Sequence, residues 1–596
     1  MAFVVSLDSS GNENNWSSTN LAGGDVTLDT PQNNFANLNL LYVLGTTTPV
    51  LTQGNLKFTG HGSDYKTAEA TISVRTGAWY WETYFSVDSG DITGFVGLLR
   101  GTGAGDSTYP GNDYSNDKVY GYSYQSGGII RGAAGVGTTT GGVLDGSVTT
   151  YAAGDIIGCA VDIPNGNLKF YKNGTEIASG QTVTGISDDY EWMPAIANYD
   201  STEHATCNFG QNGTFNGAIT AGGNSDANDI GDFKYSVPSG YLALCSSNLA
   251  TPTIAKPTDY FNTVLYTGNT TARDITVGFQ PDLVWTKGRA LTYAHLVQDV
   301  VRGATNELRL NTGDAQNTSA QSITAFNSTG YSLGTVNDYN HGSAFVSWNW
   351  KAGGAVSTDN NTVGDIDSTV SVNQDAGFSI VTWVGNGSST DRVGHGLGTA
   401  PKILTYTSTS YGPTWNSSST VDWYWWFNHN GSERLVGSPS TNSDRAFNVA
   451  RDGSNINSTT FTNGGWTSSW GIMLVYAWAE KEGFSKIGFY EGNNDGNGPF
   501  VYTGFRPAFI WVKYIDADGE SFWVHDSKRD PYNDSAGNGD RVLFMNSTAA
   551  ESTTGGIDFL SNGFKFRATN GGINGNTDTY MYMAFAEFPF KYANAR

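Results

Sequence analysis

The sequence predicts an all-β protein made of tandem β-sandwich domains. Short runs of aromatic and β-branched residues alternate with turns rich in Gly, Asn, Ser and Thr, and the chain has 76 glycines. This pattern is typical of strands joined by tight turns. Aromatic residues make up 13% of the 596 residues, a content that disordered chains lack. Four short motifs recur three times after residue 250, so we interpret that part of the chain as a set of repeats.

The charge balance excludes several classes of function. The formal net charge is −23, from 55 acidic and 32 basic residues, whereas proteins that track nucleic-acid phosphates or anionic lipids present a basic face. No run approaches the ~20 apolar residues of a membrane span. The first residues also lack the charged region of a secretory signal. We therefore expect a protein that neither binds nucleic acid nor inserts into a membrane.

The cysteine content argues against a disulfide framework. Cys159, Cys207 and Cys245 are an odd number and too few to staple a chain of this length. Cys159 lies in an apolar strand run, where a cysteine behaves as a small hydrophobic residue. The sequence therefore predicts a free and buried thiol at Cys159.

The stretch from Gly154 to Gly180 predicts a β-meander. An apolar run, Ile156–Ile163, is followed by a run that alternates apolar and polar residues, Asn167–Gly174. Between them lies Pro164-Asn165-Gly166, and an Asn-Gly pair accepts the positive φ angles that a tight hairpin turn demands. The pattern therefore predicts consecutive antiparallel strands and not a βαβ unit.

Five motifs in fixed order carry a resemblance to a known family. They are "GAWYWETYF" (Gly77–Phe85), "GFVGLL" (Gly94–Leu99), "YGYSY" (Tyr120–Tyr124), "GDIIGCAVDIPNGNLKFYKNG" (Gly154–Gly174) and "CNFGQNGTF" (Cys207–Phe215). Together, over about residues 56–216, they resemble a SPRY domain. The resemblance implies a concanavalin-like β-sandwich that binds partners through loops at one end and is not an enzyme. We interpret the motif residues themselves as core and turns.

The remainder of the chain contains four anchors that recur in the same order. Their spacing is regular, because the first anchors follow one another at 117 and then 107 residues. The anchors are aromatic-x-Gly-Asn from Tyr266, Trp383 and Tyr490; a strand from Gly278, Gly396 and Gly504; Phe-x-x-x-Gly-aromatic from Phe326, Phe461 and Phe559; and a closing aromatic strand, "AFVSWNWK", "LVYAWAEK" and "YMAFAEFP". We predict one β-sandwich with its own core for each repeat of about 110 residues.

These observations divide the chain into six predicted segments. They are an N-terminal segment (1–55) that packs on or leads into the SPRY-like unit, the SPRY-like unit (56–216), a linker (217–253), repeat 1 (254–353), repeat 2 (370–480) and repeat 3 (482–596).

The repeats and the N-terminal segment carry a second resemblance. The stretches "QDVVRGATNELRLNT", "AFNSTGYSLG", "FVSWNWKAGG", "YMYMAFAEFPF", "SLDSSGNENNW" and "DTPQNNF" are similar to modules of tail-fibre and host-recognition proteins of tailed bacteriophages, especially marine ones. The resemblance implies a homotrimer located in the virion, whose partners are other virion or tail proteins and a host cell-surface receptor, with a glycan favoured. No virion-anchoring domain or heptad stalk is visible, so the mode of attachment stays open.

The sequence offers no constellation that we can assign to catalysis. The seven histidines lack zinc-site spacing, and no Gly-x-Ser-x-Gly elbow is present. Asp299 and Arg302 in repeat 1 align with Asp526 and Arg529 in repeat 3. Glycoside hydrolysis normally uses two carboxylates. We therefore favour the interpretation that each pair is a salt bridge that pins a loop, and not that it is catalytic. "DADGE" (516–520) and "DGNG" (495–498) could hold calcium, but we favour plain turns and predict no catalytic residue, metal or cofactor.

The candidate binding residues lie in repeat 2, in "SYGPTWNSSSTVDWYWWFNHNG". Trp423, Trp425 and Phe427 share one face of a predicted strand, and Tyr424 and Trp426 share the other. One set must be core, and the other is exposed or packs on a neighbouring domain or subunit. Exposed aromatic rings stack on sugars, so one hypothesis is a glycan platform, which would also include Tyr411 and Trp415 from the same stretch. The alternative is an aromatic core or oligomer contact.

The sequence therefore predicts a bacteriophage virion appendage, a tail fibre or receptor-binding protein that adheres to host glycan or protein. The alternatives are a structural virion component, such as a head fibre, tail ring or decoration protein, and a tail-associated polysaccharide depolymerase. We expect the segments between the second and third anchors, 287–326, 408–461 and 513–559, to lie at exposed ends or sides of their sandwiches. If recognition is elsewhere, the SPRY loops around Tyr109 to Asn116 are the next candidates.

Overall fold

A computed structural model describes most of the chain. The described residues are 27–30, 32–39, 50–62, 65–100, 109–111, 121–133, 143–177, 185–187, 190–356, 360–410, 423–429, 431–438, 445–446, 456–463, 471–517, 519–533 and 540–592. Contacts between Cα atoms divide the chain into two compact units, Met1–Ala250 and Thr251–Asn594. In the part of the chain that is described, no helix is long and apolar enough to cross a membrane.

The first unit consists of two antiparallel sheets. Its strands are β1 (Val50–Thr52), β2 (Lys57–Thr59), β3 (Lys66–Glu69), β4 (Ala78–Val87), β5 (Phe95–Arg100), β6 (Gly121–Gln125), β7 (Ile129–Ala133), β8 (Val143–Asp145), β9 (Ile156–Asp162), β10 (Asn167–Lys172), β11 (Thr175–Ile177), β12 (Trp192–Asn198), β13 (Glu203–Asn208) and β14 (Leu242–Ala243). One sheet has the order β1-β2-β13-β4-β9-β10-β11, and the other has the order β3-β12-β5-β6-β7-β8.

The predicted meander is present. Strands β9 and β10 pair antiparallel with Asn167 opposite Asp162, and β11 continues from β10. At the first turn only Gly166 has a positive φ, of 65°, whereas at the next turn both Asn173 and Gly174 do. The second turn therefore has positive φ at both central residues, which the sequence predicted for the first turn.

The predicted linker is wrong, because residues 217–250 belong to the first unit. Strand β14 pairs in parallel with the start of β4, Phe233 is fully buried, and its ring packs edge-on against Tyr80. The buried carboxylate of Glu82 accepts the backbone N–H groups of Lys234 and Tyr235 at 2.8 and 2.9 Å. Strand β14 pairs with Trp79 and Tyr80 of β4, just beyond the part of β4 that pairs with β13.

The N-terminal segment also packs on this unit in its described part. Phe35 forms a β-bridge with Cys245, and Leu38 forms one with Ala70. Both Phe35 and Leu38 are buried, as expected for a segment that packs on the sandwich.

The second unit contains the three repeats. Repeat 1 has β15 (Phe261–Thr267), β16 (Arg273–Thr276), β17 (Leu283–Gly288), β18 (Leu296–Asp299), β19 (Asn306–Arg309), β20 (Asn317–Thr318), β21 (Ile323–Asn327), β22 (Gly330–Leu333) and β23 (Ala344–Trp350). Repeat 2 has β24 (Thr369–Asn373), β25 (Phe378–Val384), β26 (Arg392–Gly394), β27 (Ile403–Ser408), β28 (Trp423–His429), β29 (Ser432–Ser438), β30 (Arg445–Ala446), β31 (Thr460–Thr462) and β32 (Ile472–Trp478). Repeat 3 has β33 (Ser485–Asn493), β34 (Phe500–Tyr502), β35 (Phe505–Tyr514), β36 (Phe522–Asp526), β37 (Leu543–Phe544), β38 (Ile557–Leu560), β39 (Gly563–Phe566) and β40 (Asn576–Pro589).

Helical structure in this unit is limited to single turns among the described residues. They are α1 (Asn337–Asn340), α2 (Gly571–Asn574) and the 3₁₀ turns Pro257–Asp259 and Phe590–Tyr592.

The three repeats share one topology. Their main sheets have the orders β15-β23-β17-β18-β19-β20, β24-β25-β32-β27-β28-β29-β30 and β33-β40-β35-β36-β37, in which the closing strand always lies between the strands of the first and second anchors. A small sheet accompanies each main sheet: β16-β22-β21, β26-β31 and β34-β39-β38. A separate hydrophobic cluster belongs to each repeat and contains residues of both its sheets, as the sequence predicted.

The first anchor has a structural explanation. A side chain at Gly268 would overlap the carbonyl oxygen of His341, and one at the equivalent Gly492 would overlap that of Gly575. The preceding aromatic residue also has a fixed role, since the Tyr266 hydroxyl donates to a backbone carbonyl of α1. The aromatic-x-Gly-Asn motif therefore packs a strand end against a helical turn.

A fourth cluster contains residues of all three main sheets. Strong aromatic contacts cross between repeats: Phe261 of repeat 1 stacks on Phe585 of repeat 3 at 5.1 Å, and Trp350 of repeat 1 contacts Trp478 of repeat 2 at 6.4 Å. An apolar cavity of about 30 Å³ inside this cluster is lined by side chains of the three repeats. Each main sheet thus packs against the core of its own repeat on one face and against the shared core on the other, which the individual patterns did not predict.

The segments between the second and third anchors are not simply exposed loops. Strands β18 and β36 are buried along their whole length. In β28, four of the five consecutive aromatic residues from Trp423 to Phe427 are buried, and Tyr424 is half-buried. The expectation of exposed ends and sides is therefore wrong for these strands. They are central in the main sheets because the shared core needs their side chains.

Candidate functional site

The aromatic strand β28 faces the shared core with one of its two sides. Trp423, Trp425 and Phe427 are 0%, 3% and 1% exposed. Trp425 contacts Trp511 and Phe522 of repeat 3, with ring centroids 6.1 and 5.3 Å apart. The indole N–H of Trp423 donates to the backbone carbonyl of Arg309 in repeat 1 at 2.9 Å. This face packs on the neighbouring repeats, which is one of the two outcomes that the sequence left open.

The other face of β28 belongs to the core of repeat 2. Trp426 is 5% exposed, and Tyr424 packs against the same cluster. A glycan platform needs exposed ring faces, and the described aromatic residues of β28 do not offer them. Tyr411 and Trp415, the other predicted contacts, lie outside the described residues. The aromatic run is therefore core, because the main sheet is covered on both sides.

The recurring Asp/Arg pair is a buried salt bridge in repeat 1. Arg302 Nε donates to Asp299 Oδ2 at 2.6 Å, and the Arg302 backbone N–H donates to Oδ1 at 2.9 Å. Tyr476 of repeat 2 donates its hydroxyl to Asp299 Oδ2 at 2.8 Å. Burial raises the pKa of Tyr476 well above its usual value, and the Asp299 carboxylate adds to this effect. The pair therefore joins a loop to its strand and one repeat to the next.

Repeat 3 has the same arrangement toward repeat 1. Arg529 Nε donates to Asp526 Oδ2 at 2.5 Å, and both side chains are fully buried. The indole N–H of Trp348 in repeat 1 donates to Asp526 Oδ2 at 3.0 Å. The predicted salt bridge is thus confirmed in both repeats. These carboxylates are closed to solvent and hold several donors each, which is the environment of a structural ion pair rather than of a catalytic acid.

A second ion pair reinforces the contact between repeats 3 and 1. Glu551 accepts two hydrogen bonds from Arg289 at 2.9 Å and lies 3.3 Å from Arg529. Burial acts to raise the pKa of Glu551, but the hydrogen bonds from Arg289 and Arg541 and the charges of Arg529 and Arg289 outweigh it and lower the pKa. A carboxylate held ionised by three guanidinium groups is structural.

Two buried histidines, His295 and His525, lie near these contacts, and burial lowers the pKa of both. Burial lowers the pKa of His525 to about 3, and the charge of Arg529 contributes. Burial likewise lowers the pKa of His295, whose Nδ1 accepts the indole N–H of Trp285 at 3.0 Å. In the described part of the chain, no three His, Cys, Asp or Glu side chains cluster as a metal site would require.

The two acidic turns use their carboxylates to accept backbone hydrogen bonds. Asp495 accepts the backbone N–H of Asn497 at 2.7 Å, and Asp516 accepts that of Thr579 at 2.6 Å. Asp518 lies outside the described residues. Asp495 therefore caps its own turn, as the sequence interpretation favoured, whereas Asp516 joins its turn to the start of β40.

The three cysteines are free and buried, as predicted for Cys159. Burial raises the pKa of the Cys159 thiol well above its usual value and raises that of Cys207 to about 12. Unreactive thiols of this kind fill space in the core of the first unit.

The first unit carries an aromatic cluster that the sequence motifs did not predict as a group. We call it the tyrosine cluster; it consists of Tyr65, Phe95, Tyr109 and Tyr199. The ring of Tyr109 stacks on Phe95 at 4.0 Å, and Tyr65 contacts the other three rings at 5.2 Å. The Arg131 guanidinium lies 5.4 Å from the centre of the Tyr109 ring.

The tyrosine cluster is partly open to solvent. Tyr199 is 39% exposed and Tyr65 is half-buried, whereas Tyr109 is buried beneath them. Only Tyr109 of the cluster was among the sequence candidates, and residues 112–116 of that predicted loop lie outside the described residues. No periodicity marks the other members, because they come from the ends of different strands and meet only in the fold.

Comparisons with known proteins agree with the two-unit organisation. A family described as "Domain of unknown function (DUF7483)" matches residues 256–589, more than half of the chain. The SPRY domain family matches residues 78–212, which confirms the SPRY resemblance.

Solved structures similar to the chain include three proteins with SPRY regions or related folds. The SPRY domain of human HERC1 is 17% identical, covers 29% of this chain and 96% of its own, and has a TM-score of 0.22. The TRIM65 PSpry domain is 12% identical, covers 29% and 89%, and also has a TM-score of 0.22. Stonustoxin is 19% identical, covers 29% and 27%, and has a TM-score of 0.21.

Proposed function

The chain belongs to the DUF7483 family and carries a SPRY domain, and from this premise we propose that it is a non-catalytic binding protein of a bacteriophage virion. In this role it is a tail fibre or receptor-binding protein that adheres to a glycan or protein on the host cell surface. The partners are then the host receptor and other virion proteins. The bacteriophage assignment is supported by the resemblance of the repeat stretches and the N-terminal segment.

The observation that carries the binding role is the contrast between closed carboxylates and an open aromatic surface. Asp299 and Asp526 are fully buried and saturated with donors, which disfavours acid–base catalysis at these positions. The tyrosine cluster instead presents Tyr199 at the surface, supported from below by stacked rings. Tyrosine and arginine are enriched where proteins bind partners tightly.

We place the binding surface on the first unit, at the tyrosine cluster and its adjoining loops. Rigid sandwiches commonly carry recognition on loops, and Tyr109 stacks on Phe95 at the start of β5. Tyr411 and Trp415 of repeat 2 remain as further contact candidates. Trp423, Tyr424, Trp425 and Trp426 act through the core and not as contacts.

The experiment compares two exposed tyrosines. Tyr199→Ala removes the open ring of the tyrosine cluster, and Tyr532→Ala removes a ring that is 81% exposed in repeat 3. We measure binding of the labelled chain to cells and to isolated surface polysaccharide of bacteria that such phages infect. Tyr199→Ala should weaken binding about tenfold or more, with Tyr532→Ala at the wild-type level. Equal binding by both variants would refute the placement at the tyrosine cluster.

The two alternative functions have separate tests. A polysaccharide depolymerase would produce shortened chains and new reducing ends when incubated with host envelope polysaccharide. A structural head-fibre, ring or decoration protein would occupy the capsid or tail body in a cryo-electron microscopy map of the particle. The binding proposal expects unchanged polysaccharide and a position at the end of an appendage.

A further inference from the structure

The contacts between repeats follow one pattern around the shared core. The closing strand of repeat 2 reaches repeat 1 through Tyr476 and Asp299, and the closing strand of repeat 1 reaches repeat 3 through Trp348 and Asp526. Strand pairing shows that Tyr476 and Trp348 are equivalent. Tyr476 lies opposite Thr405, the third residue of β27, and Trp348 lies opposite Trp285, the third residue of β17. The same surface of each repeat is therefore used in the same direction.

A backbone hydrogen bond repeats at the rim of the same two contacts. The N–H of Gln316 in repeat 1 donates to the carbonyl of Thr409 in repeat 2 at 2.9 Å, and the N–H of Glu551 in repeat 3 donates to that of Arg289 in repeat 1 at 2.7 Å. Thr409 and Arg289 follow equivalent strands, β27 and β17, at the same distance from their first residues. Both contacts thus agree in a second, independent feature.

The third contact closes the set with different chemistry. Phe427 of repeat 2 stands where Asp299 and Asp526 stand, because it pairs with the first residue of β27, as Asp299 does with that of β17. Met583 of repeat 3 lies opposite Trp511, at the position of Trp348 and Tyr476. Phe427 contacts Phe489 of repeat 3 at 5.7 Å, so repeat 2 also reaches repeat 3 with this surface.

Three contacts that involve equivalent strand positions, each between a different pair of repeats, form a closed ring. Head-to-tail interfaces either close, as in cyclic trimers, or continue as open filaments. Here repeat 1 contacts 2, repeat 2 contacts 3 and repeat 3 contacts 1, so the ring closes after three members. A separate repeat would have to bury the aromatic face of its main sheet by self-association. In this chain the other two repeats already cover that face.

We infer that Thr251–Asn594 is a single-chain ring of three repeats that takes the place of a homotrimer, so that its main sheets bind their sister repeats and no second copy of the chain. This inference does not depend on the proposed binding function. It replaces the homotrimer implied by the resemblance to tail fibres with threefold organisation inside one chain. Any association between copies of the chain then uses surfaces other than the shared core.

The test traps the contact between repeats 1 and 2 with a disulfide. The backbones of Gln316 and Thr409 are hydrogen-bonded neighbours, which places their Cα atoms within the range of a disulfide. The full chain with Gln316→Cys and Thr409→Cys is oxidised and separated without reductant. We expect a cross-link within one chain, at 63.7 kDa, whose yield does not change on dilution.

The controls separate pairing within a chain from pairing between chains. An equal mixture of the Gln316→Cys and Thr409→Cys single variants should give no cross-linked dimer, because each contact is made inside one chain. The natural cysteines are buried and should stay reduced. A second pair, Arg289→Cys with Glu551→Cys, tests the contact between repeats 3 and 1 in the same way.

Two results would overturn the inference. Disulfide-linked dimers or trimers from the double variant or from the mixture would mean that repeats pair between chains. Absence of any cross-link from both pairs, also with a flexible bis-maleimide, would mean that the contacts do not form. A trimer held by other surfaces would still show the cross-link within one chain, so the outcome is specific for the ring.

Discussion

The contact between repeats 3 and 1 and the contact between repeats 2 and 3 occupy equivalent places in the ring but differ in chemistry. At the first, Asp526 and Arg529 are fully buried and satisfied by each other, by Trp348 and by backbone groups. At the second, Phe427 and Met583 occupy the equivalent positions, and both are buried. One backbone frame thus accepts either a complete ionic network or buried apolar side chains.

The comparison teaches that the members of such a network change together. A buried charge without its partner is costly, whereas replacing the whole group with well-packed apolar residues is often neutral or stabilising. The contact between repeats 2 and 3 lacks the aspartate, because Phe427 of repeat 2 stands in its place. It also lacks the opposing hydrogen-bond donor, because Met583 of repeat 3 stands in that place. The predictions below break or sharpen this comparison.

The largest expected effect comes from removing one member of the ionic contact. Asp526→Ala leaves the guanidinium of Arg529 buried without its carboxylate, and we expect a loss of about 3–5 kcal/mol in the free energy of unfolding. A volume-conserving change at the apolar contact, Met583→Leu, should cost less than about 1.5 kcal/mol. Chemical unfolding followed by Trp fluorescence measures both, and hydrogen exchange of the β36 amides assigns the loss to the second unit. Equal costs for the two variants would contradict the comparison.

Glu82 in the first unit is a buried carboxylate with no arginine partner among the described residues, in contrast to Asp526, and its protonation makes stability depend on pH. Burial raises its pKa from 4.5 to about 7, although the N–H groups of Lys234 and Tyr235 act in the opposite direction. Because the folded pKa exceeds the unfolded one, the folded state binds the proton more tightly, and the free energy of unfolding falls as pH rises from 4.5 to about 7. With ~1.4 kcal/mol for each pKa unit, the fall is about 3 kcal/mol.

The variant Glu82→Gln isolates the contribution that the titration of Glu82 makes to the free energy of unfolding. It carries no titrating group, so the difference in unfolding free energy between wild type and variant should change by about 3 kcal/mol between about pH 5 and about pH 8. Hydrogen exchange of the amides of β14, which completes the sheet beside β4, reports the same change locally. A difference that stays constant with pH would show that Glu82 is ionised throughout this range in the fold.

A smaller effect separates the hydrogen bond at the ionic contact from the volume of the indole. Trp348→Phe removes the N–H that donates to Asp526, whereas Trp511→Phe removes a buried N–H that has no hydrogen-bond partner among the described residues. Both changes leave a similar space, so Trp348→Phe should cost about 1.5–3 kcal/mol more, the usual contribution of a hydrogen bond to a charged group. Urea unfolding midpoints measure the difference. If Trp511→Phe were the more costly change, the donor to Asp526 would contribute little.

The smallest expected effect is at the cysteines. Cys159 is fully buried and its thiol has a raised pKa, so a thiol reagent should not modify it in the native protein. Mass spectrometry should detect labelling only after denaturant is added. Rapid native labelling at Cys159 would show that the core of the first unit opens, in contrast to the closed cores of the repeats.

The sequence by itself determined the β-sandwich class, the SPRY unit, the three anchors that mark each main sheet and the Asp/Arg salt bridges. These features depend on local pattern: alternation of side chains, Gly at points of close backbone approach and an aspartate three residues before an arginine. The tertiary structure alone decided that residues 217–250 complete the first unit, that β28 is buried on both faces, and that Tyr65, Tyr109 and Tyr199 meet. Alternation identifies the two faces of a strand but not what covers each face, and here a second repeat covers the face that the pattern of one repeat left open.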